Sequence, residues 1–414
     1  MTLSRSFRFT RGLVVAALAV ATSLAGCSSG DDAGDGGATS TAPTSTTTAP
    51  TSTTTGSTTT WPAPGTAALP TADAMQAALD DWIAAGRLDG VTASVVTADG
   101  VWSGAAGVDG AGSKLQPDSG LSIMSVTKTY TAAEVLLLAS RGSIDLDTPI
   151  TDYVDLPFDA GGATVRQVLG MRSGFPELDI DVEASLISAD LSRVWTPAEW
   201  LAAIPADAAR LGERGGEPRY SGVNYVALAA LVEKVTGTSY DEAIRTDLLA
   251  PSGLDHTWAQ PGEVPSGPLT VGGTTPHDDV VDPTSAVMPS VSLSSALLGA
   301  ASIAADAADA AMWGYLLYGG HVIDPSLVAE MIADPQPDAN DFFLPYALGT
   351  TVFTVGTDTL IGHPGGGVDY PYTGVTMVVV GDQPIGIAVL TPQAADHRSQ
   401  IYDLFMQLHS IAAG

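Results

Sequence analysis

Ser125 and Lys128 stand three residues apart in the segment LSIMSVTKTYTAAEVLLLASRGSIDLD. On a helix, residues at that spacing share a face, which brings a serine hydroxyl and a lysine amine within hydrogen-bond reach. A hydroxyl beside a basic amine is a nucleophile with its own proton acceptor, the arrangement needed to attack a carbonyl carbon. From Val126 to Ala139 the segment is apolar nearly all round, which predicts a buried helix ended by Gly142. A lysine at the start of such a helix is expensive, because an unpaired buried ammonium costs several kcal/mol and the positive end of the helix dipole opposes it further. Both effects push the amine towards its neutral, proton-accepting form. The same helix end can stabilise an oxyanion. A surface helix opening on a serine cap and a solvated lysine would carry the same local letters, but not the apolar run after them.

The elements that must hold this pair are legible on both sides of it. In TADAMQAALDDWIAAGRLDG, Met75, Leu79, Trp82 and Ile83 recur at helical spacing, with Gly90 ending the run. VTASVVTADG and VWSGAAGVDG read as two strands joined by a turn at Asp99-Gly100. At the far end YALGTTVFTV, TLIGHPGGG, YTGVTMVVVG and PIGIAVLTP are strand-like, and a last helix is expected from about Ala394 to Ala412. Between these ends, LAAIPADAARL, VNYVALAALVEKVTG and AADAADAAMWGYLLYGG have helical character. Two early strands and several late ones predict an α+β fold with mixed layers: one antiparallel sheet flanked by the terminal helices, with a mainly helical subdomain inserted.

The chain has 414 residues and a formal net charge of -30, from 16 Lys+Arg against 46 Asp+Glu, which makes nucleic acid an improbable partner. Arg5, Arg8 and Arg11 precede an apolar run from Leu13 to Ala25, the pattern of a signal peptide over residues 1–26. Leu24-Ala25-Gly26-Cys27 resembles the lipobox of bacterial lipoproteins, so Cys27 is the expected lipidation site, and an extracytoplasmic, membrane-anchored location is expected with it. Cys27 is also the only cysteine, which excludes a disulfide framework and a cysteine-ligated metal. Residues 27–68 are Thr/Ser/Pro-rich and read as a disordered tether with a reach of about 35 Å if flexible. A single globular domain over 69–414 is expected, acting as a monomer. His256, His277, His321, His397 and His409 are scattered without metal-ligand spacing, so no metal and no cofactor is expected.

Several stretches in order resemble the serine β-lactamase and penicillin-recognising hydrolase family, on the branch of class C β-lactamases, D-alanyl-D-alanine carboxypeptidases and related esterases. SIMSVTKTYTA resembles its nucleophile helix, IDLDTPITDYV and TVRQVLGMRSGFPEL the segments after it, GEPRYSGVNYVALAALVEKVTG its tyrosine motif, APSGLDHTW a loop, and IGHPGGG its third motif. The resemblance covers about residues 75–395. It implies that Ser125 is acylated, that Lys128 activates it, and that Tyr220 relays a proton to or from the leaving group. It further implies that His363 orients Tyr220 or binds a substrate carboxylate, and that the oxyanion is held by the backbone N–H groups of Ser125 and Gly366. One such donor is typically worth about 3 kcal/mol.

Two positions depart from the family pattern. Gly222 stands where the tyrosine motif usually has an asparagine that grips a peptide carbonyl, with Asn224 nearby but out of register. Pro364 replaces the hydroxyl residue of the third motif and cannot hydrogen-bond a carboxylate. The expected function is therefore an acyl-enzyme serine hydrolase acting on small-molecule esters or cell-wall D-alanyl peptides rather than an efficient β-lactamase. The alternative is a catalytically silent binding protein of the cell envelope that keeps the fold. Arg172-Ser173-Gly174 imitates the third motif but precedes the tyrosine motif, in the wrong order.

Overall fold

Alternation along the central strands builds the layers of the molecule. In β2 (Gly90–Val96), Val91, Ala93 and Val95 enter one apolar core while Val96 enters another on the opposite face. β9 (Thr373–Val380) and β10 (Ile385–Thr391) divide in the same way, Val375, Met377, Ile387 and Val389 to one side and Val378, Ala388 and Leu390 to the other. Successive side chains of a strand point to opposite faces, so a strand buried on both faces is apolar without polar alternation. The computed structural model describes residues 60–266, 269–273, 275, 278–337 and 344–414. The signal segment, Cys27 with its lipobox, the tether up to residue 59 and His277 lie outside the described residues.

The main sheet has seven strands in the order β1-β3-β2-β10-β9-β8-β7, with β1 at Ala67–Ala68, β3 at Gly100–Gly107, β7 at Thr351–Val355 and β8 at Asp358–Gly366. All its pairings are antiparallel except that of β1 with β3, which makes the sheet mixed. Residues 60–68, expected to belong to the tether, thus include a strand, and Trp61 also packs edge-on against Tyr315. A second sheet of three short strands, β4 (Leu121–Ser122), β6 (Ile303–Ala305) and β5 (Thr257–Ala259), braces the segment just before Ser125. Strands of two or three residues leave too little periodicity to be read from sequence.

Six helices frame the site: α1 (Ala72–Ala84), α2 (Thr127–Ser140), α3 (Ile180–Ser188), α4 (Gly222–Thr236), α5 (Ala307–Tyr318) and α6 (Tyr402–Ala413). α1 and α6 cover one face of the sheet, and α2, α4 and α5 lie in the core on the other. Gly90 does not end α1; it opens β2, and the helix stops at Ala84, with Gly86 in the left-handed conformation. Gly142 stands in the expected place, two residues past the end of α2, at φ 73°. LAAIPADAARL is not a helix, since a short helix ends at Leu201 and turns come after it. The last helix begins at Tyr402 after a wide turn from His397 to Ile401, later than the sequence predicts.

Candidate active site

Ser125 sits in a single tight turn, Met124–Val126, that leads directly into α2. Met124, just before it, is held at φ 48°, a conformation rarely adopted by a residue with a side chain and typical of strained functional turns. One turn on, the Lys128 side chain is 2 % exposed, and its Nζ donates to Ser125 Oγ at 2.9 Å and to the Ala300 carbonyl at 2.9 Å. The amine also lies 4.9 Å over the Tyr220 ring and 5.6 Å over that of Tyr225. Burial lowers the Lys128 pKa to about 7, while the charges of Glu177 and Glu183 hold it up in part. Near neutral pH a large share of this amine is therefore unprotonated and can accept a proton.

Tyr220 precedes α4 and lines the same cavity as Ser125 and Lys128. Burial, reinforced by the charge of Glu177, raises its phenol above the ordinary value against an opposing hydrogen bond with the Ser125 side chain. It is thus a phenol, not a phenolate, at any ordinary pH. Burial keeps His363 neutral in turn, with a pKa lowered to about 3. Its ring is fully buried on β8, with Nδ1 2.5 Å from the Pro364 carbonyl and Nε2 3.3 Å from the Tyr346 hydroxyl. The Tyr346 hydroxyl also reaches that of Tyr225, which donates to the Leu169 carbonyl at 2.9 Å. Tyr346 lies in YALGTTVFTV, and nothing in its sequence context distinguishes it from a core tyrosine.

The glycines of HPGGG have a steric reason. A Cβ on Gly365 would run into the Ile123 carbonyl oxygen, so β8 can lie directly against the Ser125 turn only without a side chain there. Gly366 has φ 71°, and a Cβ on it would strike the Tyr372 carbonyl. Ser125 and Gly366 both line one cavity of about 880 Å³. They stand on the two elements, the Met124–Val126 turn and β8, that the bare Gly365 lets lie against each other.

Nothing in the sequence marks the acidic part of the cavity wall. Glu177 accepts from the Gly222 backbone N–H at 2.5 Å and from Leu178 N–H at 3.2 Å, and Glu183 lines the cavity from α3. Burial raises both carboxyl groups, Glu183 to about 8. Among the described residues around this cavity, Lys128 and His397 are the only basic side chains, against Glu177, Glu183, Asp369 and Asp396. His397, one of the scattered histidines, lines the cavity, where Nε2 lies 3.0 Å from the Gly365 carbonyl. His256 pairs with Asp306 away from it, and neither His321 nor His409 lines it. Asn224 is buried, bonded to Ser173 Oγ at 2.5 Å, and so does not replace the missing asparagine. Arg172-Ser173-Gly174 is structural, with Arg172 holding the Gly215 and Gly216 carbonyls.

A family model described as Beta-lactamase matches residues 72–407, most of the chain. The chain belongs to the beta-lactamase family. Among curated relatives of this family member, Penicillin-binding protein 4* of Bacillus subtilis is 26% identical over 160 residues, 34% of this chain and 31% of the relative. The 6-aminohexanoate-dimer hydrolase of Paenarthrobacter ureafaciens is 34% identical over 149 residues, 32% of this chain and 36% of the relative. The alignments thus span about a third of these relatives' length. Of solved structures, the D-amino acid amidase of Ochrobactrum anthropi SV3 superposes with TM-score 0.68 at 22% identity, covering 82% of this chain and 99% of that one. A D-stereospecific amidohydrolase from Streptomyces gives 0.64 at 23% identity, covering 81% and 97%. These likenesses show the fold of this beta-lactamase-family chain.

Proposed function

We propose that the chain is an acyl-enzyme serine hydrolase for esters and amides whose acyl part carries a protonated amine. The observation that carries the reading is the buried Lys128 amine 2.9 Å from Ser125 Oγ. Neutral Lys128 takes the Ser125 proton as Oγ bonds to the substrate carbonyl carbon. The oxyanion is held by the backbone N–H groups of Ser125 and Gly366. As the carbon–oxygen or carbon–nitrogen bond breaks, Tyr220 passes its phenolic proton to the leaving alcohol or amine and regains one from the Lys128 ammonium, which returns to the neutral amine. Water then attacks the acyl-enzyme and returns Ser125. Because its phenol is pushed up and the lysine pushed down, Lys128 rather than Tyr220 is the base.

Substrate charge is set by the cavity walls. A D-alanyl-D-alanine terminus or a penicillin presents a carboxylate, yet His363 is neutral and turned to Tyr346, Pro364 offers no hydroxyl, and two glutamates face the space. A carboxypeptidase activity is therefore disfavoured. An ammonium group suits Glu177 and Glu183, whose raised pKa values reflect burial with too little positive charge nearby. Amidases of amino acids among the structural neighbours are compatible with this charge preference. A silent binding protein would have no need of a buried lysine on a serine hydroxyl, and that geometry speaks against it. We also propose that Cys27 anchors the protein outside the cell membrane; incorporation of labelled palmitate that disappears in Cys27→Ala tests it.

Residues 60–414 should be assayed in parallel with a p-nitrophenyl ester, an amino-acid amide, a D-alanyl-D-alanine peptide and a chromogenic cephalosporin, with Ser125→Ala as control. Turnover of the ester and the amide, lost in Ser125→Ala, is the expected result. Cephalosporin or D-alanyl peptide turnover matching that of the ester overturns the charge argument, and no turnover with no labelling by a serine-reactive phosphonate overturns the hydrolase reading.

A further inference from the structure

The cavity is larger than the reacting groups require. Beyond Ser125 it passes the Gly366–Tyr370 loop and reaches side chains of β7, β8 and α6, where Leu344, Phe353, Leu360, Tyr402 and Met406 line it. These belong to the core beneath α1 and α6, not to the core that surrounds Lys128. Leu360 is fully buried and forms a floor; Leu344, Phe353, Tyr402 and Met406 are only partly covered by protein. Phe353 and Tyr402 meet edge-to-face with centroids 6.2 Å apart, so the walls of this arm are ordered by their own packing. Val355 and Val368, 42% and 56% exposed, stand at its rim, among the large apolar side chains that remain uncovered on this molecule. Partly covered apolar surface that is continuous with a nucleophile marks a place where substrate, rather than protein, completes the burial.

We propose that this arm is a subsite for a hydrocarbon group of the acyl donor, an unbranched aliphatic chain or an aryl ring. The substrate is then amphiphilic, with its charged end at Glu177 and Glu183 and its apolar end against Phe353 and Met406. What the arm serves rests on the reading of Ser125 as the acylated group; that it binds hydrocarbon does not. Each methylene moved from water into the arm is worth roughly a threefold to fourfold gain in affinity.

Two measurements test it. The first is the ratio of kcat/KM for p-nitrophenyl octanoate to that for p-nitrophenyl acetate in the wild type, in Met406→Trp, which fills the arm, and in Phe353→Ala, which removes a wall. The ratio is expected above ten in the wild type, at least tenfold lower in Met406→Trp, and several-fold lower in Phe353→Ala, which also covers the case that tryptophan disturbs α6. A wild-type ratio near one, or a ratio that neither variant moves, overturns the subsite and leaves the hydrolase reading standing. The second is calorimetric binding of octan-1-ol to Ser125→Ala, which needs no turnover. Binding that weakens at least tenfold when Met406→Trp is added supports the arm even if no ester is hydrolysed, in which case the acyl-enzyme reading alone falls. Absence of binding overturns the arm.

Discussion

The turn that carries Ser125 and the acidic wall of the same cavity are built on different principles. Ser125 and Lys128 are three residues apart, and a single helical turn brings them to 2.9 Å. On the wall, Glu177 meets Gly222 across 45 residues of sequence, and Glu183 arrives on a separate helix. Local geometry makes the pair, and long-range packing makes the acidic wall. The same division appears in the electrostatics, since Lys128 is perturbed first by its own burial and only then by the distant carboxylates.

The strongest way to break this comparison is to remove the local pair. Ser125→Ala and Lys128→Ala should each reduce ester hydrolysis by about 10⁴-fold or more, with circular dichroism unchanged, because the two act as a unit. Activity of Lys128→Ala within tenfold of wild type would show that the amine is not the base. Next in size is the contact between turn and strand. Gly365→Ala places a methyl group against the Ile123 carbonyl and should destabilise the fold by about 1–3 kcal/mol, read as a lower midpoint in urea together with reduced kcat. An unchanged midpoint would mean that β8 does not need its bare backbone there.

The wall is tested by Glu177→Gln. In the wild type, kcat/KM should fall as the pH drops through about 7, where Lys128 becomes protonated. The Glu177 charge raises that pKa, so removing it should move the acid limb to lower pH. The same variant should lose about tenfold in kcat/KM on an amine-bearing substrate relative to a neutral ester, as one charge-assisted hydrogen bond is lost. A limb that stays in place, with unchanged selectivity, would separate wall from pair entirely. Smallest is Tyr346→Phe, which removes the hydroxyl facing His363 Nε2 at 3.3 Å. It also removes the contact to the Tyr225 hydroxyl, and a loss of about threefold in kcat, with KM unchanged and stability lowered by about 1 kcal/mol, is expected from two weak hydrogen bonds.

Much of the frame is legible in the sequence for identifiable reasons. β2 and β3 announce themselves through a run of strand-forming residues and a turn, and α2 through a surface apolar nearly all round and closed by Gly142. Ser125, Lys128, Tyr220 and Gly366 all line one cavity, whereas His363, expected to bind substrate, is fully buried outside its lining and bonded to Tyr346. The small sheet β4-β6-β5 is illegible because its strands are too short for periodicity, and LAAIPADAARL misleads because apolar spacing there continues past the helix end. Glu177 and Glu183 give no signal, since an acidic residue in a chain with 46 of them has nothing to mark it until folding removes its water.

By itself, then, the sequence determined the pairing of Ser125 with Lys128, because an i, i+3 pair at the head of a largely apolar helix leaves the amine few places to go. It also determined that two recognition groups are absent, Gly222 and Pro364 being visible as letters. Only the tertiary structure decided what stands in their place. Glu177 takes the Gly222 N–H, His363 is buried neutral, and an apolar arm opens towards α6. Each depends on contacts between segments far apart in the chain, and on the loss of solvent that those contacts impose.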